Sequence, residues 1–116
     1  MLHHWTTMPG LAGIIHDGEV RPHSGEPWMP DDVVWLTTGG CGAFFDPQKY
    51  CVCLEVDPIW ADAEPFNLAD YGAWIEDGSQ WFVSRSPIPF RRVSVVVAGQ
   101  RYRSASYDGE MLSLAP

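Results

Sequence analysis

The spacing of apolar residues changes once within the first eighteen positions. Leu2 to Thr6 alternates and predicts a short strand, whereas Met8, Leu11, Ala12 and Ile15 recur at three to four residues and predict one apolar helix face, widened by Ile14. Thr7 is placed to cap that helix, Pro9 is tolerated in its first turn, and Gly18 stands where a left-handed C-terminal cap is expected. The segment RPHSGEPWMPDD at 21–32 has no period and reads as a loop.

Beyond it the pattern is mainly that of strands. VVWLTT at 33–38 and YCVCLEV at 50–56 are rich in β-branched and aromatic residues, with the irregular GGCGAFFDPQK between them. In DPIWADAEPFNLADYGAWIEDG the spacing of Leu68, Tyr71, Trp74 and Ile75 predicts a short helix capped by Asn67, which Gly72 weakens. SQWFVSR at 79–85 predicts a strand, and the prolines of SPIPF exclude a central ladder position at 87–89. VSVVVAG and QRYRSASY follow as a hairpin turning at Ala98-Gly99, and DGEMLSLAP reads as an edge or a frayed end. With about six strands and one or two short helices, the layout is α+β rather than alternating βαβ. At 116 residues a single domain spanning 1–116 is expected.

Charge narrows the partners. Seven basic against fifteen acidic residues give a net charge of −8, which argues against binding to phosphate backbones or anionic membranes, although a nucleic acid remains open as an acceptor of a transferred group. VSVVVA is far shorter than the roughly 18–20 residues of a membrane helix, and the start of the chain lacks the pattern of a signal peptide. Three cysteines without framework spacing point to reduced thiols in a cytoplasmic protein. Cys51-x-Cys53 lacks the second pair that a closed zinc site needs, so free thiols are the expectation.

Three stretches taken in order carry a resemblance. His4-Trp5-Thr6 on the first strand, then Leu11, Ile14 or Ile15 and Gly18, then VVWLTT, and finally QWFVSRSPIPF resemble the successive elements of the ADP-ribosyltransferase superfamily, in particular its poly-ADP-ribose polymerase and DarT-type branches. Together they cover roughly half of the chain. The resemblance implies two packed antiparallel-rich sheets, NAD as substrate, and a protein that transfers ADP-ribose or hydrolyses NAD. The small, bare core is reminiscent of phage or bacterial mobile-element proteins. Six Trp and an acidic surface suit the alternative, a catalytically inactive relative that binds a nucleotide or a protein partner.

Cleaving the bond between nicotinamide and ribose develops positive charge on the ribose, which calls for a fixed dinucleotide and a carboxylate nearby. The resemblance assigns His4 and Thr6, two apart and on one strand face, to the ribose, and Trp35, Thr37 and Tyr50 to the same cleft. At the superfamily's glutamate position the chain carries Gln80, an amide that keeps the hydrogen bond but not the charge. Glu76, four residues earlier, and after it Glu110, in the tail, are the candidates for a substitute carboxylate. The bland readings stand beside these: Trp35, Trp81 and Phe82 as core residues, and Arg85, Arg91, Arg92, Arg101 and Arg103 as the solvated face of a sheet rather than a pyrophosphate clamp.

Overall fold

The computed structural model describes residues 1–23, 32–40, 46–67, 70 and 78–116. The first strand and helix form where the apolar period changes. β1 (Leu2–Thr6) leads into α1 (Met8–Asp17), whose first turn is closed by Thr7 Oγ1 accepting the Gly10 amide at 3.0 Å. Gly18 ends the helix at φ 76°, its N–H reaching the carbonyls of Ile14 and Ile15. An L side chain resists that conformation, so Gly18→Ala should lower stability by about 1 kcal/mol, read as a reduced urea midpoint with unchanged slope.

Seven strands make one antiparallel sheet in the order β5-β6-β3-β1-β4-β8-β9, formed by Ala63–Phe66, Trp81–Ser84, Val34–Thr37, β1, Val52–Val56, Val93–Val97 and Gln100–Tyr102. Two small ribbons complete the fold. β2 (Glu19–Val20) pairs with β7 (Ile88–Pro89), and β10 (Ser104–Tyr107) pairs with β11 (Leu112–Ala115). The architecture is α+β in the broad sense: mostly antiparallel sheet with one α-helix among the described residues.

Several expectations are corrected. Eleven strands are present among the described residues instead of about six, because β2, β7 and β9 are too short to show a period and β5 carries Glu64 and Pro65 in its middle. Pro65 is tolerated because β5 is an edge strand, and the Ile88–Pro89 strand likewise stays out of the large sheet. QRYRSASY breaks at Arg103 into β9 and β10, which belong to different sheets, and the tail is the ordered partner of β10. Arg91 and Arg92 lie in a 3-10 turn rather than on alternating strand positions. In place of two separate packed sheets there is one large sheet. The helix predicted from Asn67 falls largely on 68–69 and 71–77, outside the described residues, as do Glu76 and Cys41.

Side-chain alternation divides the sheet into two faces. Leu2, Val34, Leu36, Val52, Leu54, Val56 and Val95 lie on the face that meets Leu11 of α1, and form one buried cluster with Val20 and Ile88. On the other face Val33 and Val83 pack with Trp35 and Phe66. The predicted turn at Ala98-Gly99 is present, with φ 49° and 83° at its two central residues, the pair of left-handed conformations that a tight hairpin requires.

Candidate functional site

The two halves of the large sheet meet along β1 and β3. All of β1 is in register with β4, from Leu2 opposite Val56 to Thr6 opposite Val52, but its register with β3 is the single pair His3 opposite Thr37. Past that pair the strands part. A cavity of about 340 Å³ lies at the opening, and His4, Thr6, Trp35, Thr37 and Tyr50 all line it. The five residues that the resemblance assigned to a dinucleotide are thus gathered in one place, from β1, β3 and the approach to β4. His3, Trp5, Thr7, His23 and Trp81 complete the lining.

The two neighbouring histidines are held in the same way on opposite faces. His4 Nδ1 lies 2.9 Å from the Trp35 carbonyl, and His3 Nδ1 lies 3.0 Å from the Gly39 carbonyl, which also accepts from Trp5 Nε1 at 3.0 Å. A carbonyl only accepts, so each Nδ1 carries a hydrogen. In neutral His4 this leaves Nε2 as an acceptor, suited to a ligand hydroxyl. His3 differs, because its Nε2 lies 3.7 Å from Glu55 Oε2 and the other carboxylate oxygen is paired with Arg101. With Nδ1 held by the Gly39 carbonyl and the ring beside Glu55, its register partner on β4, His3 is a cross-strand brace, and the ligand-facing role falls to His4.

Burial draws the His4 pKa below its ordinary 6.5; the Trp35 carbonyl opposes the shift and His23 adds to it. The imidazole is therefore neutral at physiological pH. As pH falls below about 6.5 the unfolded chain takes up a proton that native His4 refuses, so stability declines until the depressed native pKa is reached. His4→Asn keeps a donor in the Nδ1 position without the titration. Its urea midpoint should fall less than that of the wild type between about pH 7.5 and 5.

The rest of the lining is hydroxylic and aromatic. Gly10 leaves the room that the Thr6 hydroxyl occupies, since a Cβ at position 10 would collide with Thr6 Oγ1. Thr37 is buried and its Oγ1 accepts the Gly39 amide at 3.2 Å. Trp35 meets Phe66 and Trp81 edge to face, with ring centres 5.0 and 6.2 Å apart. Among the described residues the lining holds no carboxylate.

Of the two residues assigned to catalysis, Gln80 does not join this group. Gln80 is exposed and lies outside the lining; its backbone exchanges hydrogen bonds with Thr38, donating to Oγ1 and accepting from the amide, both at 3.0 Å. Glu76 lies outside the described residues, and Glu110 sits in the exposed turn between β10 and β11. Of the lining residues that sequence reasoning missed, His23 enters through its bridge to Val33, a long-range pairing that no local pattern announces.

Among the described residues no arginine, lysine or cysteine lines the cavity. Arg85 pairs with Glu64, Arg101 with Glu55, and Arg92 stacks on Trp60. Cys51 and Cys53 are free thiols, and burial, reinforced by Glu55, pushes the Cys53 pKa up to about 12. No three His, Cys, Asp or Glu side chains among the described residues converge to hold a metal ion. No described helix is long and apolar enough to cross a membrane. The chain matches no protein-family model, and comparison with curated proteins and with solved structures returns no similar protein.

Proposed function

We propose that the cavity between β1 and β3 binds NAD or ADP-ribose, and that the protein is an ADP-ribosyltransferase-like protein acting in the cytoplasm. The observation that carries the reading is the convergence of His4, Thr6, Trp35, Thr37 and Tyr50 on one cavity. A neutral imidazole with a free acceptor nitrogen, hydroxyls beside it and several aromatic rings suit a ribose attached to a flat heterocycle. Transfer of ADP-ribose or hydrolysis of NAD would begin with departure of nicotinamide, which takes the bonding electron pair and leaves the positive charge on the ribose.

The absence of a carboxylate from the described lining, with Gln80 beyond it, favours a second reading in which the protein binds the nucleotide without turning it over. Nicotinamide release from NAD, measured together with the melting temperature at saturating ligand, tests both. Binding of NAD or ADP-ribose should raise the melting temperature. Gln80 lies outside the cavity, so Gln80→Glu should leave both nicotinamide release and the melting shift as in the wild type. A melting shift with no release from either protein identifies a binding module. No shift and no release would remove the nucleotide reading altogether.

A further inference from the structure

The seven Lys and Arg residues of the chain all lie among the described residues, and none lines the cavity between β1 and β3. Arg21 pairs with Asp17 and Glu19, Arg85 with Glu64 and Arg101 with Glu55, while Arg92 lies over Trp60. Arg91 and Arg103 are exposed, in the 3-10 turn Phe90–Arg92 and between β9 and β10. Lys49 adjoins the wall, its exposed side chain 6.0 Å from the centre of the Tyr50 ring. Of the chain's basic groups, only imidazoles line the cavity.

A helix N-terminus is the other common way to hold a phosphate, and here it is closed. α1 begins beside Thr7 on the cavity wall, but Thr7 Oγ1 accepts the Gly10 amide at 3.0 Å and its carbonyl accepts the Leu11 amide at 2.8 Å. Pro9, between them, has no N–H to give. The wall offers neutral groups instead: His4 with Nε2 as an acceptor, the hydroxyls of Thr6 and Thr37, and the rings of Trp35, Tyr50 and Trp81. Such groups hydrogen-bond sugar hydroxyls and stack on a heterocycle without gripping an anion.

We infer that the cavity selects a phosphate-free ribonucleoside and leaves the phosphates of any longer ligand in solvent. The inference rests on the nucleotide reading above for the ribose contact, and goes beyond it by removing the pyrophosphate from recognition. Volume and charge agree with it. The cavity, at about 340 Å³, is at the low end of the roughly 300–1,000 Å³ of ligand pockets. A net charge of −8 repels each phosphate that is added.

Calorimetric titrations at about pH 8, where an ordinary imidazole is neutral, test the inference with matched pairs of ligands. Adenosine is compared with adenosine 5′-monophosphate, nicotinamide riboside with its 5′-monophosphate, and NAD is measured alongside. At least one nucleoside should bind, and its monophosphate should bind no more tightly. Raising salt from about 0.05 to about 0.5 M should leave the nucleoside affinity within about twofold and should not weaken NAD. Lys49→Gln should bind NAD as the wild type does. A monophosphate that binds about tenfold or more tighter than its nucleoside, or a comparable loss of NAD binding in salt or in Lys49→Gln, would overturn the inference by revealing a cationic phosphate clamp. NAD binding without binding of either nucleoside would overturn it too, and in each of these cases the nucleotide reading stands. Binding of no probe would remove that reading and the inference with it. A nucleoside that binds while NAD does not would uphold the inference and remove the dinucleotide.

Discussion

Leu54→Ala should destabilise the protein by about 3 kcal/mol, a large share of the 5–15 kcal/mol that holds a domain of this size. Leu54 is fully buried at the centre of β4, between His4 on β1 and Val95 on β8. Removing its side chain takes contacts from the cluster beneath α1, and the strands on either side are fixed by their ladders and cannot close the gap. The melting temperature should drop by about 10 °C or more, with the denaturant slope unchanged. Val97→Ala is the control: its side chain is on the same face but half-buried at the end of β8, and its cost should be clearly smaller. Equal losses in the two variants would mean that the core is not centred on β4.

The second large effect falls on the ligand. His4→Asn should weaken binding of NAD or ADP-ribose by about tenfold or more, the loss of one buried hydrogen bond and the partner hydroxyl it leaves unmet. The asparagine amide can still donate to the Trp35 carbonyl, so the melting temperature of the free protein should stay close to that of the wild type. His4→Gln tests the complementary half. Its longer side chain reaches the position of Nε2 and should retain more of the affinity, while sacrificing part of the bond to Trp35. The order of affinity, wild type above Gln above Asn, separates a ligand-facing imidazole from a structural one. A structural histidine would rank the variants by folding stability alone.

Much of this arrangement is legible in the chain because its signals are local. Thr7, Pro9 and Gly18 bracket α1 with the residues that helix ends require, and Ala98-Gly99 supplies the φ > 0 pair of a tight turn. Other elements obey no local rule. β5 holds Glu64 and Pro65 and survives as an edge strand only because β6 pairs with it. The division of YRSAS between two sheets follows from where the hairpin partner Leu112–Ala115 lies, which is a tertiary matter.

The candidate site divides in the same way. His4 and Thr6 share a strand face by simple alternation, and Trp35 and Thr37 do so on β3, so these pairs are readable as pairs. That β1 and β3 part after His3 and Thr37, and so leave a cavity rather than a ladder, depends on the register of distant strands. Gln80 is instead tied by its backbone to Thr38, just ahead of β6 and outside the lining. Its neighbour Trp81, opposite Thr37, occupies the wall.

The most direct measurement is the pair of ring-nitrogen NMR signals of His4 during a titration with NAD near neutral pH. Free, the ring should show a protonated Nδ1, held by Trp35, and an unprotonated Nε2. Saturating NAD should move the Nε2 signal as it accepts a ribose hydroxyl and leave Nδ1 in place, with His3 much less affected. His4 signals that stay unchanged up to about millimolar NAD, or that move together with those of His3 and every other histidine, would contradict the account.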